Sequence, residues 1–116
     1  GVHQAMDQLC ELLQDAVASG ASIGFMNVPS KEEAIAYWTG VAHHVEDGTT
    51  VLIASDDGGR IVGSIQIGLE SRSNASHRAE LMKLFVLRTH RRHGRARALL
   101  QAACEEAKRI GRLLLV

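Results

Sequence analysis

The chain has 116 residues, 46% of them apolar, with a single proline and 13 acidic side chains balanced by 13 basic ones. That length bounds it to one domain with a modest core, and the composition excludes a disordered polymer. No apolar run approaches the roughly 18–20 residues that a bilayer crossing needs, so no membrane partner is expected.

The neutral total hides a segregation of charge. Residues 1–87 carry five basic and eleven acidic side chains, whereas residues 88–116 carry eight basic and two acidic. A field divided in this way points to an anionic ligand for the C-terminal quarter. It is too local for a duplex nucleic-acid footprint across the domain. Cys10 and Cys104 each fall on the apolar side of a helical pattern, which reads as two buried, reduced thiols in a cytoplasmic protein. Their separation carries no metal signature.

In chain order, Met6, Leu9, Cys10, Leu13 and Val17 recur at helical spacing, and the helix ends near Ser19-Gly20. A short apolar loop, "ASIGFMNVP", follows. Ser30 and Glu33 form an S-x-x-E capping box, which opens a second helix with the stripe Ile35, Trp38, Val41, Ala42 and Val45. The period then changes to two. "TVLIAS" reads as a strand, "DDGG" as a hairpin turn, and "RIVGSIQIGLE" as the partner strand, where Ile61, Ile65, Ile67 and Leu69 alternate with smaller or polar residues. After the polar loop "SRSNAS", a third strand, "RAELMKLFVL", sets Glu80, Met82, Leu84 and Val86 on one face. A third helix buries Ala96, Leu99, Leu100, Ala103, Ala107 and Ile110, and "RLLLV" begins a further strand. Strand, loop, helix and strand at this spacing make a crossover between parallel strands. The class is α/β (α+β) with a mixed sheet, in the order α-α-β-β-β-α-β. Four apolar residues at the end form a strand in want of neighbours, so the expectation is one domain, 1–116, that continues beyond this sequence.

Between the third strand and the third helix lies "THRRHGRARALL". Cations crowd a helix start, where the helix dipole disfavours each by about 0.3–1 kcal/mol. A phosphate group at that end would offset the cost. Gly94, lacking a Cβ, would let such a group approach the backbone amides, and Ala96 keeps the next turn small. The alternative is a solvated basic helix start with no ligand.

The series Arg91-x-x-Gly94-x-Ala96 resembles the acyl-CoA signature of the GNAT N-acetyltransferase superfamily, R/Q-x-x-G-x-G/A. Its setting between that strand and that helix, after two helices and a hairpin, is similar to the family's order. "GASIGFM" and "HRAELMKLFVL" look like segments of the tabtoxin-resistance type of small-molecule acetyltransferase. Three positions depart from the family pattern: Arg92 replaces a common glycine, Arg95 a frequent aliphatic residue, and Arg88 a frequent proline. The family's first strand would precede Gly1. Its later strands, with the tyrosine that often protonates the departing thiolate, would follow Val116; Tyr37 does not match that tyrosine.

The resemblance implies acetyl-CoA as cosubstrate, no metal, and a small-molecule amine as acceptor. Glu80, the one acid in an apolar strand, is where the family often places its general base, and partial burial would raise its pKa; the alternative is an edge acid paired with Arg78 or Lys83. The backbone of Phe85, Val86 and Leu87 would hold the pantetheine arm like an added strand, while Arg91, Arg92, His93, Gly94, Arg95, Ala96 and Arg97 would hold the diphosphate. Ile23, Phe25 and Met26 would wall the acceptor pocket or simply pack in the core. His43 and His44, adjacent on a helix, diverge by about 100° and suit a surface better than a metal. A homodimer stays open. So do two rival readings: a nucleic-acid-binding module built on the basic segment, and a non-catalytic acyl-CoA binder.

Overall fold

A computed structural model describes residues 2–20, 25–69 and 78–115. Helices α1 (Val2–Ala18) and α2 (Lys31–Glu46) precede strands β1 (Thr50–Asp57), β2 (Arg60–Leu69) and β3 (Arg78–Val86); a 3-10 turn at Arg88–His90, helix α3 (Arg95–Arg109) and strand β4 (Leu113–Leu115) follow. The strands form one sheet in the order β1-β2-β3-β4, antiparallel except for the parallel β3–β4 pair. The expected element order and mixed sheet are both observed.

Helices α1 and α2 cover one face of the sheet and α3 crosses the other. β2 is therefore sandwiched, and residues 62–67 are buried on both sides. Val62 joins the cluster of Leu12, Leu13, Trp38 and Phe85 beneath α1 and α2, whereas Ile65 and Ile67 join Val86, Leu99 and Ala103 beneath α3. A strand covered on both faces needs no polar side, so the alternation seen in the sequence captures only half of its burial.

Local chemistry sets the boundaries. Ser30 Oγ accepts from the Glu33 amide at 3.1 Å, and Glu33 Oε1 accepts from the Ser30 amide at 2.9 Å, completing the expected capping box. The hairpin turns through Gly58 and Gly59 alone, with φ of 59° and 90°, a conformation that glycine adopts without steric cost. Asp56 and Asp57, expected in the turn, belong to β1.

The helix stripes correct the sequence reading. Helix α2 buries Ala34, Trp38 and Val41, while Ala42 faces outward and Ile35 and Val45 are exposed at 36% and 42%. Helix α3 buries Leu99, Ala103 and Ala107, and turns Ala96 and Leu100 outward. Small residues every four positions let α3 lie close to the sheet, and that contact line excludes Leu100. Cys10 is buried, with its thiol pKa pushed up chiefly by burial, but Cys104 is exposed rather than buried; both are free. No helix among the described residues is long and apolar enough to cross a membrane.

The buried face makes a testable contrast. Leu12→Ala should cost about 2–5 kcal/mol in urea unfolding, whereas Ile35→Ala on the exposed face should stay within roughly 0.5 kcal/mol. Comparable losses would contradict this assignment of faces.

Candidate functional site

Strand β3 changes face in its middle. Ser64 pairs with Phe85 and Gln66 with Met82, so Lys83 and Leu84 together stand opposite Ile65. This is a β-bulge, and Lys83 adopts a left-handed φ of 52° to make it. Glu80 and Met82 consequently share the α1–α2 face with Phe85, while Val86 turns beneath α3. The single face expected for Glu80, Met82, Leu84 and Val86 does not form. Glu80 is exposed rather than partly buried, so burial does not support it as a base.

Among the described residues, one edge of β3 is open past the bulge, because β4 pairs only with Arg78, Ala79 and Glu80. The Leu87 amide donates to the Val62 carbonyl at 2.9 Å, and antiparallel alternation therefore directs the Phe85 and Leu87 backbone to β2 and that of Val86 outward. The Val86 carbonyl accepts from Arg91 Nε at 3.0 Å. Of the three residues expected to present backbone to a ligand, only Val86 turns its backbone away from β2. Leu84, two positions earlier, lines the same groove, a cavity of about 410 Å³ between the end of α1, β3 and the start of α3.

The cationic loop continues this groove into a second cavity of about 370 Å³ lined by Val86, Arg91, Arg92, Gly94, Arg95, Ala96 and Arg97. Gly94 caps α3 with φ 77°, and a Cβ there would meet nothing within 4 Å. Arg92 also takes a left-handed φ, of 68°. The first helical hydrogen bond runs from the Ala98 amide to the Gly94 carbonyl. Among the described residues, the amides from Gly94 to Arg97 at the helix start have no acceptor.

Two carboxylates from elsewhere hold the loop. Asp15 on α1 accepts from the Arg88 amide at 2.9 Å and from Arg88 Nε at 2.8 Å, with Arg91 Nη2 at 3.9 Å. Asp57, at the end of β1, lies 3.2 Å from His90 Nε2 and 3.8 Å from Arg95 Nη2. Arg95 Nη1 also donates to Ser55 Oγ and the Asp56 carbonyl, both at 3.2 Å. Arg95 is thus tied to β1, although the motif places it with the phosphate contacts. Arg92, His93 and Arg97 make no ion pair among the described residues. Neither carboxylate stood out in the sequence; each looked like an ordinary polar position.

On the α2 side of the bulge a separate cavity of about 370 Å³ is lined by Tyr37, Gly40, His44, Gln66, Met82 and Lys83. Gln66 Nε2 donates to Tyr37 Oη at 3.1 Å. Burial pushes the Tyr37 phenol pKa up, against a smaller opposing effect of the Gln66 hydrogen bond. Phe25 meets the Tyr37 ring edge-on, with centroids 6.2 Å apart. Met26, 99% exposed, walls nothing, and Ile23 lies outside the described residues. His43 and His44 are exposed, and no group of three or more potential metal ligands assembles among the described residues.

The model of the Acetyltransferase (GNAT) family matches residues 6–115. The chain belongs to the GNAT family. A relative from Azospirillum brasilense, an uncharacterized N-acetyltransferase in the hisH-hisA intergenic region, is 35% identical over 108 residues, covering 91% of this chain and 62% of the relative. The GNAT fold is matched in a ribosomal-protein-alanine N-acetyltransferase from Brucella melitensis, with a TM-score of 0.73, 22% identity, and coverage of 91% of this chain and 63% of that one. It is matched again in YncA, a putative acetyltransferase from Salmonella typhimurium solved with acetyl-CoA, with a TM-score of 0.70, 21% identity, and coverage of 92% and 60%. The chain therefore spans less than two thirds of each. Within this GNAT domain the signature residues Arg91, Gly94 and Ala96 all line the cavity at the start of α3.

Tyr37 is the only tyrosine in the chain, so tyrosinate absorbance reports its titration alone. The midpoint should lie above the ordinary value of 10.0. Between that value and the folded midpoint the unfolded chain has lost a proton that the folded chain keeps, so stability should fall as pH rises. A midpoint at or below the ordinary value would contradict the burial of this ring.

Proposed function

We propose that this chain forms the cosubstrate-binding part of an acetyl-CoA-dependent N-acetyltransferase acting on a primary amine of a small molecule. The observation that carries the reading is the groove itself, where the outward backbone of Val86 leads directly to unpaired amides at the start of α3. Family membership supports it, as do the relative named as an N-acetyltransferase and the similar fold solved with acetyl-CoA.

Acetyl-CoA would supply an activated acetyl group as a thioester. Val86 would pair with the pantetheine arm as a strand edge, and its amide N–H would stabilise charge developing on the thioester oxygen. The amides of residues 94–97, with Arg92 and Arg97, would receive the diphosphate. Arg88, His90 and Arg95 would act less directly, since Asp15 and Asp57 use them to fix the loop.

An alkyl ammonium has a pKa near 10, so only roughly one molecule in a thousand is the neutral nucleophile at pH 7. Glu80 is the acid on β3 facing the α1–α2 side, and in this reading it takes the proton, directly or through water. Nitrogen then attacks the acetyl carbon, the C–S bond breaks, and the thiolate leaves, taking a proton from solvent as the new amide nitrogen gives up its second proton.

Two substitutions separate binding from chemistry. Gly94→Glu fills open space with an anion and strains a left-handed position by about 1–2 kcal/mol. It should weaken coenzyme A binding in calorimetry beyond detection while the circular dichroism spectrum is retained; unchanged affinity would contradict the cradle. Glu80→Gln in the full-length protein should lower kcat at neutral pH by about 100-fold with coenzyme A affinity preserved. Equal rates would dismiss Glu80 as the base.

A further inference from the structure

The cavity between α2 and the sheet has features that phosphate binding does not use. It lies on the face that carries Glu80 and Met82, because Gln66 pairs with Met82 and Gly68 with Glu80. Lys83 lines this cavity and Leu84 lines the groove. The bulge is thus the junction of the two spaces.

Its polar lining is placed by burial. Gln66 is only 3% exposed, and a buried carboxamide is held at a cost unless its groups find partners. One partner is Tyr37 Oη, at 3.1 Å. Among the described residues, the sealed polar side-chain atoms without a partner are Ser64 Oγ and Arg95 Nε. Among the described residues the other polar atom of the Gln66 carboxamide has no hydrogen-bond partner and is not sealed, and Gln66 lines the cavity.

Whichever way the carboxamide is turned, the Gln66–Tyr37 pair leaves at least one donor and one acceptor unused. If Gln66 donates to Tyr37, the free groups are the amide oxygen and the phenol hydrogen. If the amide is reversed, they are the amide nitrogen and the phenol oxygen. A carboxylate, which only accepts, satisfies half of this pair, and an alkyl chain satisfies neither. His44 is held by Asp47 at 3.7 Å and Thr49 at 3.3 Å, which leaves Lys83 as the cationic group of the lining.

We infer that this cavity is the acceptor pocket and selects a small primary amine bearing a neutral group that both donates and accepts a hydrogen bond, a primary amide or a hydroxyl. The inference rests on the acetyltransferase reading for its amine. The ammonium lies toward Glu80, and the neutral group reaches the Gln66–Tyr37 pair.

The test uses four probes: glycinamide, 2-aminoethanol, glycine and n-propylamine. The single tryptophan, Trp38, has its ring centroid 5.0 Å from that of Tyr37, so its fluorescence reads binding without turnover. Glycinamide and 2-aminoethanol should bind about tenfold more tightly than n-propylamine, the worth of one net hydrogen bond, and more tightly than glycine. Gln66→Leu should erase the preference. Tyr37→Phe, which removes one hydroxyl from a half-buried ring, should reduce it and serves if the first variant does not fold. A preference for glycine or n-propylamine, equal affinities, or an unchanged preference in both variants would overturn the inference. Coenzyme A titrated into the same protein keeps the two claims apart. If it binds while the amines show no preference, only the pocket assignment fails. If it does not bind while glycinamide is preferred, the pocket's chemistry stands and the cosubstrate reading fails.

Discussion

The structure depends on how positive charge is held at the start of α3. A helix end that is already positive receives Arg95 and Arg97 in its first turn and Arg92 just before it, which is unfavourable unless opposite charge is nearby. Asp15 reaches in from α1 and Asp57 from the tip of β1, and between them they engage Arg88, Arg91, His90 and Arg95. The loop is thereby fixed to both layers of the domain. Among the described residues of the loop, Arg92, His93, Arg97 and the amides at the helix start stay without an opposite charge or acceptor. That remainder is the geometry an anion needs.

The bulge in β3 gives the fixed loop its context. Two residues opposite one reverse the faces of the strand, so Phe85 packs under Trp38 while Val86 packs under α3. Among the described residues, β4 pairs with β3 only as far as Glu80, so the outer edge of β3 is free beside the bulge. The groove along β3 and the separate polar cavity then meet at Lys83 and Leu84, and the groove runs on through Val86 to the cationic helix start. No catalytic element needs to move for the three to be contiguous.

Much of this was legible in the sequence, for identifiable reasons. Element order follows from periodicity and from punctuation by glycine and the capping box, and all of these are local. The cationic loop was visible because cations at a helix start conflict with elementary electrostatics. The bulge was not visible, because "LMKLFV" satisfies a regular strand equally well, and the fault appears only on pairing with β2. Leu84 and the outward turn of Val86 were hidden with it. Asp15 and Asp57 were hidden because their partners are 73 and 33 residues away in the chain. The outward turn of Leu100, Ile35 and Val45 depends on which four-residue line meets the sheet, and composition alone does not choose between adjacent lines.

The most direct test of the account is an amide chemical-shift map of the protein titrated with coenzyme A. The account predicts the largest changes at Val86 and from Gly94 to Arg97, with little at His43 and His44. An absence of change along that edge and helix start, or changes centred elsewhere, would contradict it.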